Sequence, residues 1–171
     1  MNLPQREAVD LEAYIQQSQT GPCFICEIIG RKAGCTDHHI LYEDDIAIAF
    51  LNKYPTLYGY SLVAPREHRE QATGDFTLEE YLALQKVVYT VAEAVRQEVP
   101  TERMYILTLG SQQGNRHVHW HIAPLPPGVP YIEQQFAALS MENGILKLSS
   151  EEMSMLAERI RTHLKNQQHG K

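Results

Sequence analysis

Residues 117–123 read His-Val-His-Trp-His-Ile-Ala, three histidines separated by single apolar residues. Side chains alternate faces along a β-strand, so an extended chain puts His117, His119 and His121 on one face and Val118, Trp120 and Ile122 on the other. A helix, at roughly 100° per residue, would turn successive histidines by about 200° and scatter them. The pattern therefore calls for a strand whose apolar underside is covered by a second layer. Its upper side carries three imidazoles whose nitrogens need partners if they are buried. A plain polar face would more often use Thr, Lys or Glu. The row of imidazoles points instead to metal ligation or to chemistry at phosphorus.

The chain supplies the rest of a sheet around that strand. Ile40–Glu43 and Ile46–Leu51 are apolar runs joined at Glu43-Asp44-Asp45, a hairpin signal. Tyr60–Ala64, opened by Gly59 and closed by Pro65, reads as a third strand. Met104–Leu109 reads as a fourth, joined by the polar turn 110–116 to the histidine strand. Connections this short make sequential strands antiparallel. Thr77-Leu78-Glu79-Glu80 has the form of a capping box. It opens a long helix, with Leu78, Leu82, Leu84, Val87, Val88, Val91, Ala92 and Val95 as its apolar face and Pro100 beyond its end.

Residues 4–18 have helical composition, with Leu3, Val9, Leu11, Tyr14 and Ile15 as contacts, and Gly21-Pro22 ends them. Ile132–Leu139 also reads as helical, and Ser149-Ser150-Glu151-Glu152 starts a last helix running to about Leu164. The expected fold is α+β: an antiparallel sheet of about five strands, one long packing helix, and extra helices at both termini. The expected division is an N-terminal helical extension (1–20), the domain that carries the three histidines (21–130) and a C-terminal helical extension (131–171).

A neutral imidazole is a nucleophile near pH 7, since its ordinary pKa of about 6.5 leaves much of it unprotonated. The middle histidine of a same-face row suits attack on phosphorus, with its neighbours orienting it or stabilising phosphoryl oxygens. The loop just before it, Gly110–Arg116, adds the hydroxyl of Ser111, the amides of Gln112, Gln113 and Asn115, and the Arg116 guanidinium. A metal reading competes for the same imidazoles, because three histidines can hold zinc. A second metal candidate is Cys23-Phe24-Ile25-Cys26, completed either locally by Cys35 and His38 or by residues from elsewhere.

Net charge narrows the partners. At −6, with a pI near 5.7, the chain has no global attraction to nucleic acid or to an anionic membrane, although a phosphate-bearing small ligand needs only local donors. No apolar run approaches the ~20 residues of a membrane helix. Met1–Ala13 lacks the apolar core of a signal peptide, so the cytoplasm is the expected location.

All seven positions of 117–123 match His-φ-His-φ-His-φ-φ, with φ apolar, and this resembles the signature of the histidine-triad (HIT) superfamily of nucleotide hydrolases and transferases. Upstream, Leu41–Asp45 and Ala49–Asn52 are similar to the family's first hairpin. Asn52–Pro55, through Gly59 to Pro65-Arg66-Glu67-His68, resembles its next strand and loop, so the likeness covers 23–127. Leu51–Pro55 and His119-Trp120-His121 look most like the branch acting on diadenosine polyphosphates, phosphorylase-like members included.

The resemblance implies a HIT-like fold, a homodimer and a nucleotide substrate. The implied reaction is cleavage of a dinucleoside polyphosphate such as diadenosine tetraphosphate through a covalent nucleotidyl-His119. His121 and His117 would lie against the phosphates, Asn52 on the ribose hydroxyls, Leu51 and Tyr54 near the base, and Gln113 in the phosphate loop. Zinc-bearing members complete the cysteine pair with the loop histidine and the first triad histidine. Here those are Cys23, Cys26, His68 and His117, a set the resemblance favours over Cys35 and His38. His117 is then structural, and no organic cofactor is implied.

Three departures bear on substrate. Gly114 stands where many members have Ser or Thr, Tyr58-Gly59-Tyr60 where many have Pro-Gly-His, and Leu125 where an Arg often follows the post-triad Pro. They keep in view a phosphoramidase or nucleotidyl transferase, and a slow nucleotide-binding module.

Overall fold

Val118, Trp120 and Ile122 are all buried in one cluster with the long helix, and that contact sets the layer order of the molecule. The computed structural model describes residues 5–33, 38–109 and 115–169. In chain order the elements are β1 (Arg6–Glu7), α1 (Leu11–Thr20), α2 (Phe24–Ile29), β2 (Ile40–Glu43), β3 (Ala47–Leu51), β4 (Ser61–Pro65) and α3 (Leu78–Glu98). There follow β5 (Arg103–Leu107), β6 (Trp120–Leu125), α4 (Phe136–Leu139), β7 (Ile145–Leu146) and α5 (Ser150–His169). Five strands form an antiparallel sheet in the order β2-β3-β4-β6-β5. This is the α+β architecture expected from the sequence.

One face of the sheet takes α3. Ala47, Ala49, Leu51 and Val63 meet Leu84, Val88, Val91 and Val95, with Leu156 and Ile160 of α5 in the same cluster, that helix lying beside α3 and also touching β2 and β3. Thr77 caps α3 in a complete capping box with Glu80. Leu78 and Leu82, expected in the apolar face, are 73% and 57% exposed. They precede Leu84 by six and two residues, which puts them about 240° and 200° round the helix from it, on the solvent side. The other face takes α2: Ile48, Phe50, Leu62 and Ala64 pack with Ile25 and Ile28.

The histidine strand is shorter than expected, since β6 begins only at Trp120. The chain ahead of it leaves the β4 ladder to bond the loop that follows that strand. Val118 N donates to Arg69 O of that loop at 2.7 Å, and His117 Nε2 donates to the carbonyl of Pro65, the last residue of β4, at 2.9 Å. At the start of β4, Gly59 sits at φ +83°, where an added Cβ would lie 2.8 Å from Val99 Cγ2.

The termini differ from expectation too. The segment expected to be one helix over 4–18 is a two-residue strand followed by α1, which Asp10 caps by accepting from Ala13 N; Leu3 and Pro4 lie outside the described residues. β1 pairs with β7, and Arg6 donates to Gly144 O at 2.7 Å and Thr56 O at 2.9 Å. The helix expected over Ile132–Leu139 is a 3₁₀ turn and the short α4, separated at Gln135, whose φ is +57°. Among the described residues no helix is long and apolar enough to cross a membrane.

Candidate active site and metal centre

Cys23 is the N-cap of α2, and its Sγ accepts from Cys26 N at 3.5 Å, so the Cys-x₂-Cys pair forms the first turn of that helix. Both sulfurs face two imidazoles. His117 Nδ1 lies 3.6 Å from Cys23 Sγ and 3.5 Å from Cys26 Sγ, and His68 Nδ1 lies 3.3 Å from Cys26 Sγ. All four ligand atoms fall within 4.8 Å of one another. A zinc tetrahedron with bonds of about 2.0–2.3 Å has edges of roughly 3.3–3.8 Å, so this donor set fits the ion.

The protons are arranged to suit. A carbonyl only accepts, so His117 keeps its proton on Nε2 for Pro65 O and presents a lone pair at Nδ1. Glu70 Oε1, 3.3 Å from His68 Nε2, holds that ring in the same sense. Burial first, and the Cys23 thiol second, push the Cys26 thiol up to about 11. A bound cation reverses this, because both thiols ligate as thiolates. Asn115 is buried and points Nδ2 at Cys23 Sγ from 3.8 Å.

His119 is held differently. Its Nδ1 donates to His117 O at 2.8 Å, which leaves the lone pair of the neutral ring on Nε2. Burial holds its pKa below the usual histidine value, while that hydrogen bond pulls the other way. The His121 ring lies 4.7 Å away, centre to centre, with Nδ1 3.0 Å from the Tyr60 hydroxyl. Burial first, then the proximity of His119, hold His121 down to about 3. Two neutral imidazoles therefore stand side by side. When the Tyr60 hydroxyl donates to Nδ1, the His121 proton sits on Nε2, available to an oxyanion.

The pair opens into a cavity of about 910 Å³. Phe24, His38, Phe50, Asn52, Tyr54 and Tyr60 line it, with Arg116 near the histidines and Leu11, Tyr14 and Ile15 of α1 along one side. The Asn52 amide is set at this wall because its Oδ1 accepts from Tyr54 N at 2.9 Å. Leu51 is not part of the wall; it is buried on the opposite face against α3. Its neighbour Phe50 takes that place, meeting Phe24 edge to face at 6.2 Å. Strand alternation carried this signal: Ile48 and Phe50 share one face, Ala47, Ala49 and Leu51 the other. His38 stacks on Phe24 at 6.1 Å rather than joining the sulfurs. Ser111, Gln113, Gly114 and Cys35 lie outside the described residues.

Residues 34–127 match the HIT domain family model. An uncharacterized HIT-like protein of Saccharolobus solfataricus is 32% identical over 118 residues, covering 67% of this chain and 81% of that one. The adenylylsulfatase HINT3 of Arabidopsis thaliana is 27% identical over 150 residues, covering 83% of this chain and 69% of that one. Among solved structures, a hypothetical histidine triad nucleotide-binding protein of Sulfolobus tokodaii superposes with a TM-score of 0.67 at 28% identity, covering 84% of this chain and 93% of that one. With the sheet, the row of histidines and these relatives in agreement, the chain belongs to the HIT-domain family.

Proposed function

We propose that this protein is a nucleotide hydrolase that works through a covalent nucleotidyl-His119 intermediate. The observation that carries the reading is the bond from His119 Nδ1 to His117 O, which aims an unprotonated Nε2 into the cavity. Nε2 attacks the α-phosphorus, a P–N bond forms, and the P–O bond to the leaving group breaks, its electron pair departing with the anionic leaving group. Water then attacks the same phosphorus, the P–N bond breaks, and the nucleoside monophosphate leaves. His121 Nε2 and the Arg116 guanidinium stabilise charge on the phosphoryl oxygens, and Asn52 binds the ribose.

A dinucleoside polyphosphate is the proposed substrate, and the cavity supports it: about 910 Å³ is near the upper end of small-molecule sites, which run to roughly 1,000 Å³. The second reading, a conjugate of a nucleoside monophosphate, is favoured by one observation, the name of the Arabidopsis relative, an adenylylsulfatase. Zinc held by Cys23, Cys26, His68 and His117 would supply a structural cross-link. The edge of β5, unpaired among the described residues and with Ile106 47% exposed, supports a homodimer.

The test is product identification from diadenosine tetraphosphate and from adenylyl sulfate, with and without inorganic phosphate, using His119→Ala as control. AMP plus ATP from the first substrate without phosphate, lost in the variant, is the expected result. ADP plus ATP formed only with phosphate would make the enzyme a phosphorylase. AMP from adenylyl sulfate alone would establish the second reading. Turnover that survives His119→Ala would sink the covalent mechanism.

A further inference from the structure

Helix α1 has an unusual relation to the core. None of its residues is buried, and neither apolar cluster of the molecule includes one. Its apolar side chains Leu11, Tyr14 and Ile15 are half-buried, and all three line the cavity in front of His119 and His121. A ten-residue helix is marginal in water by itself, so something other than core packing must hold this one. Its N-terminal side is tied by the β1–β7 ladder, by the Arg6 bonds to Gly144 O and Thr56 O, and by Lys147 N donating to Gln5 O at 2.8 Å. The Tyr14 ring also meets that of Tyr54 edge to face at 5.9 Å. Tyr54 is the residue whose amide anchors the Asn52 side chain. Tyr14 therefore stands at the Asn52 end of the cavity. The helix as a whole lies outside residues 34–127, the segment that matches the HIT domain.

An apolar helix face directed at a cavity rather than a core gains its burial when a ligand fills the space. We propose that α1 is a specificity element of the nucleotide cavity, with Tyr14 and Ile15 forming a wall against which the base of the bound nucleoside packs. This rests on the nucleotide reading of the site and adds to it the surface that selects a planar aromatic ligand. The wall acts on binding and leaves the phosphoryl chemistry to His119. Gln16, exposed on the outer side of the same helix, takes no part.

The experiment is calorimetric titration of AMP into the parent protein and into Tyr14→Ala, Ile15→Ala and Gln16→Ala. Loss of an aromatic contact together with its buried area predicts about tenfold weaker AMP binding for Tyr14→Ala. Ile15→Ala should weaken binding several-fold, and Gln16→Ala should bind as the parent does. On whichever substrate turns over, Tyr14→Ala should raise KM and leave kcat within about twofold, since uniform binding is what it removes. If the parent binds AMP and both wall variants bind it equally well, the wall is wrong and the nucleotide reading stands. A parent that binds no AMP would overturn the nucleotide reading, and the wall with it. Should Tyr14→Ala fail to fold, Ile15→Ala alone decides the matter.

Discussion

His117 and His119 are two residues apart and are set for opposite tasks by two main-chain carbonyls. His117 gives its Nε2 proton to Pro65 O and turns Nδ1 to the sulfurs; His119 gives its Nδ1 proton to His117 O and turns Nε2 to the cavity. His119→Ala should therefore abolish turnover, by at least a thousandfold on the scale of lost nucleophiles, and leave AMP affinity within a few-fold by titration. Cys26→Ser removes one ligand of four, so elemental analysis should find about one equivalent of zinc in the parent and a small fraction of that in the variant. At this scale the sequence was informative about the shared face of the row, because alternation is a local property. The separation of His117 from the others was not local. It depends on a carbonyl 52 residues away and on sulfurs more than 90 residues away. Only family likeness pointed to it.

Among the elements, α3 is the one whose ends the sequence marked most clearly, since Thr77 and Glu80 form the capping box that their spacing predicts. Thr77→Ala should cost about 1 kcal/mol, read from the shift in denaturant midpoint at unchanged m-value. Glu80 also pairs with Arg69, which closes the loop ahead of the helix. Hydrogen bonds from Arg69 first, and from Thr77 N second, hold the Glu80 carboxyl down from 4.5 to about 2. A carboxyl lowered on folding adds stability above its unfolded pKa and loses it as pH falls through the folded one. The unfolding midpoint should thus decline between about pH 4.5 and pH 2, and Glu80→Gln should flatten that limb in a pH series of thermal melts. β1 was invisible in the sequence for the complementary reason. Two residues carry no period, and the strand exists only because Ile145 and Leu146 lie alongside it.

For the molecule as a whole, the layer order follows from patterns that need no distant information: alternation over 117–122, helical spacing in α3, and short turns between neighbours. What those patterns left open is where the N-terminal segment goes, because its contacts are with β7 and with the cavity. Among the described residues no strand pairs with the outer edge of β5, beside exposed Ile106 and Phe136. If that edge joins two copies, Ile106→Lys should convert a dimer into a monomer in sedimentation velocity at micromolar concentration. A parent that already sediments as a monomer would rule the dimer out.

The ladder between β1 and β7 joins residues that are synthesised at very different times. Arg6 finds its acceptor at Gly144, 138 residues later. A nascent chain can lay down the sheet, seat α3 and bring the sulfurs to His68 and His117 while β1 lacks its partner strand and α1 is held only by the Arg6 bond to Thr56 O and the Tyr14–Tyr54 contact. The wall that α1 builds beside the cavity is thus secured late, only after β7 has left the ribosome. A cut just before residue 144 would strip α5 from the core and would also loosen, at the far end of the chain, a helix that the cut never touched.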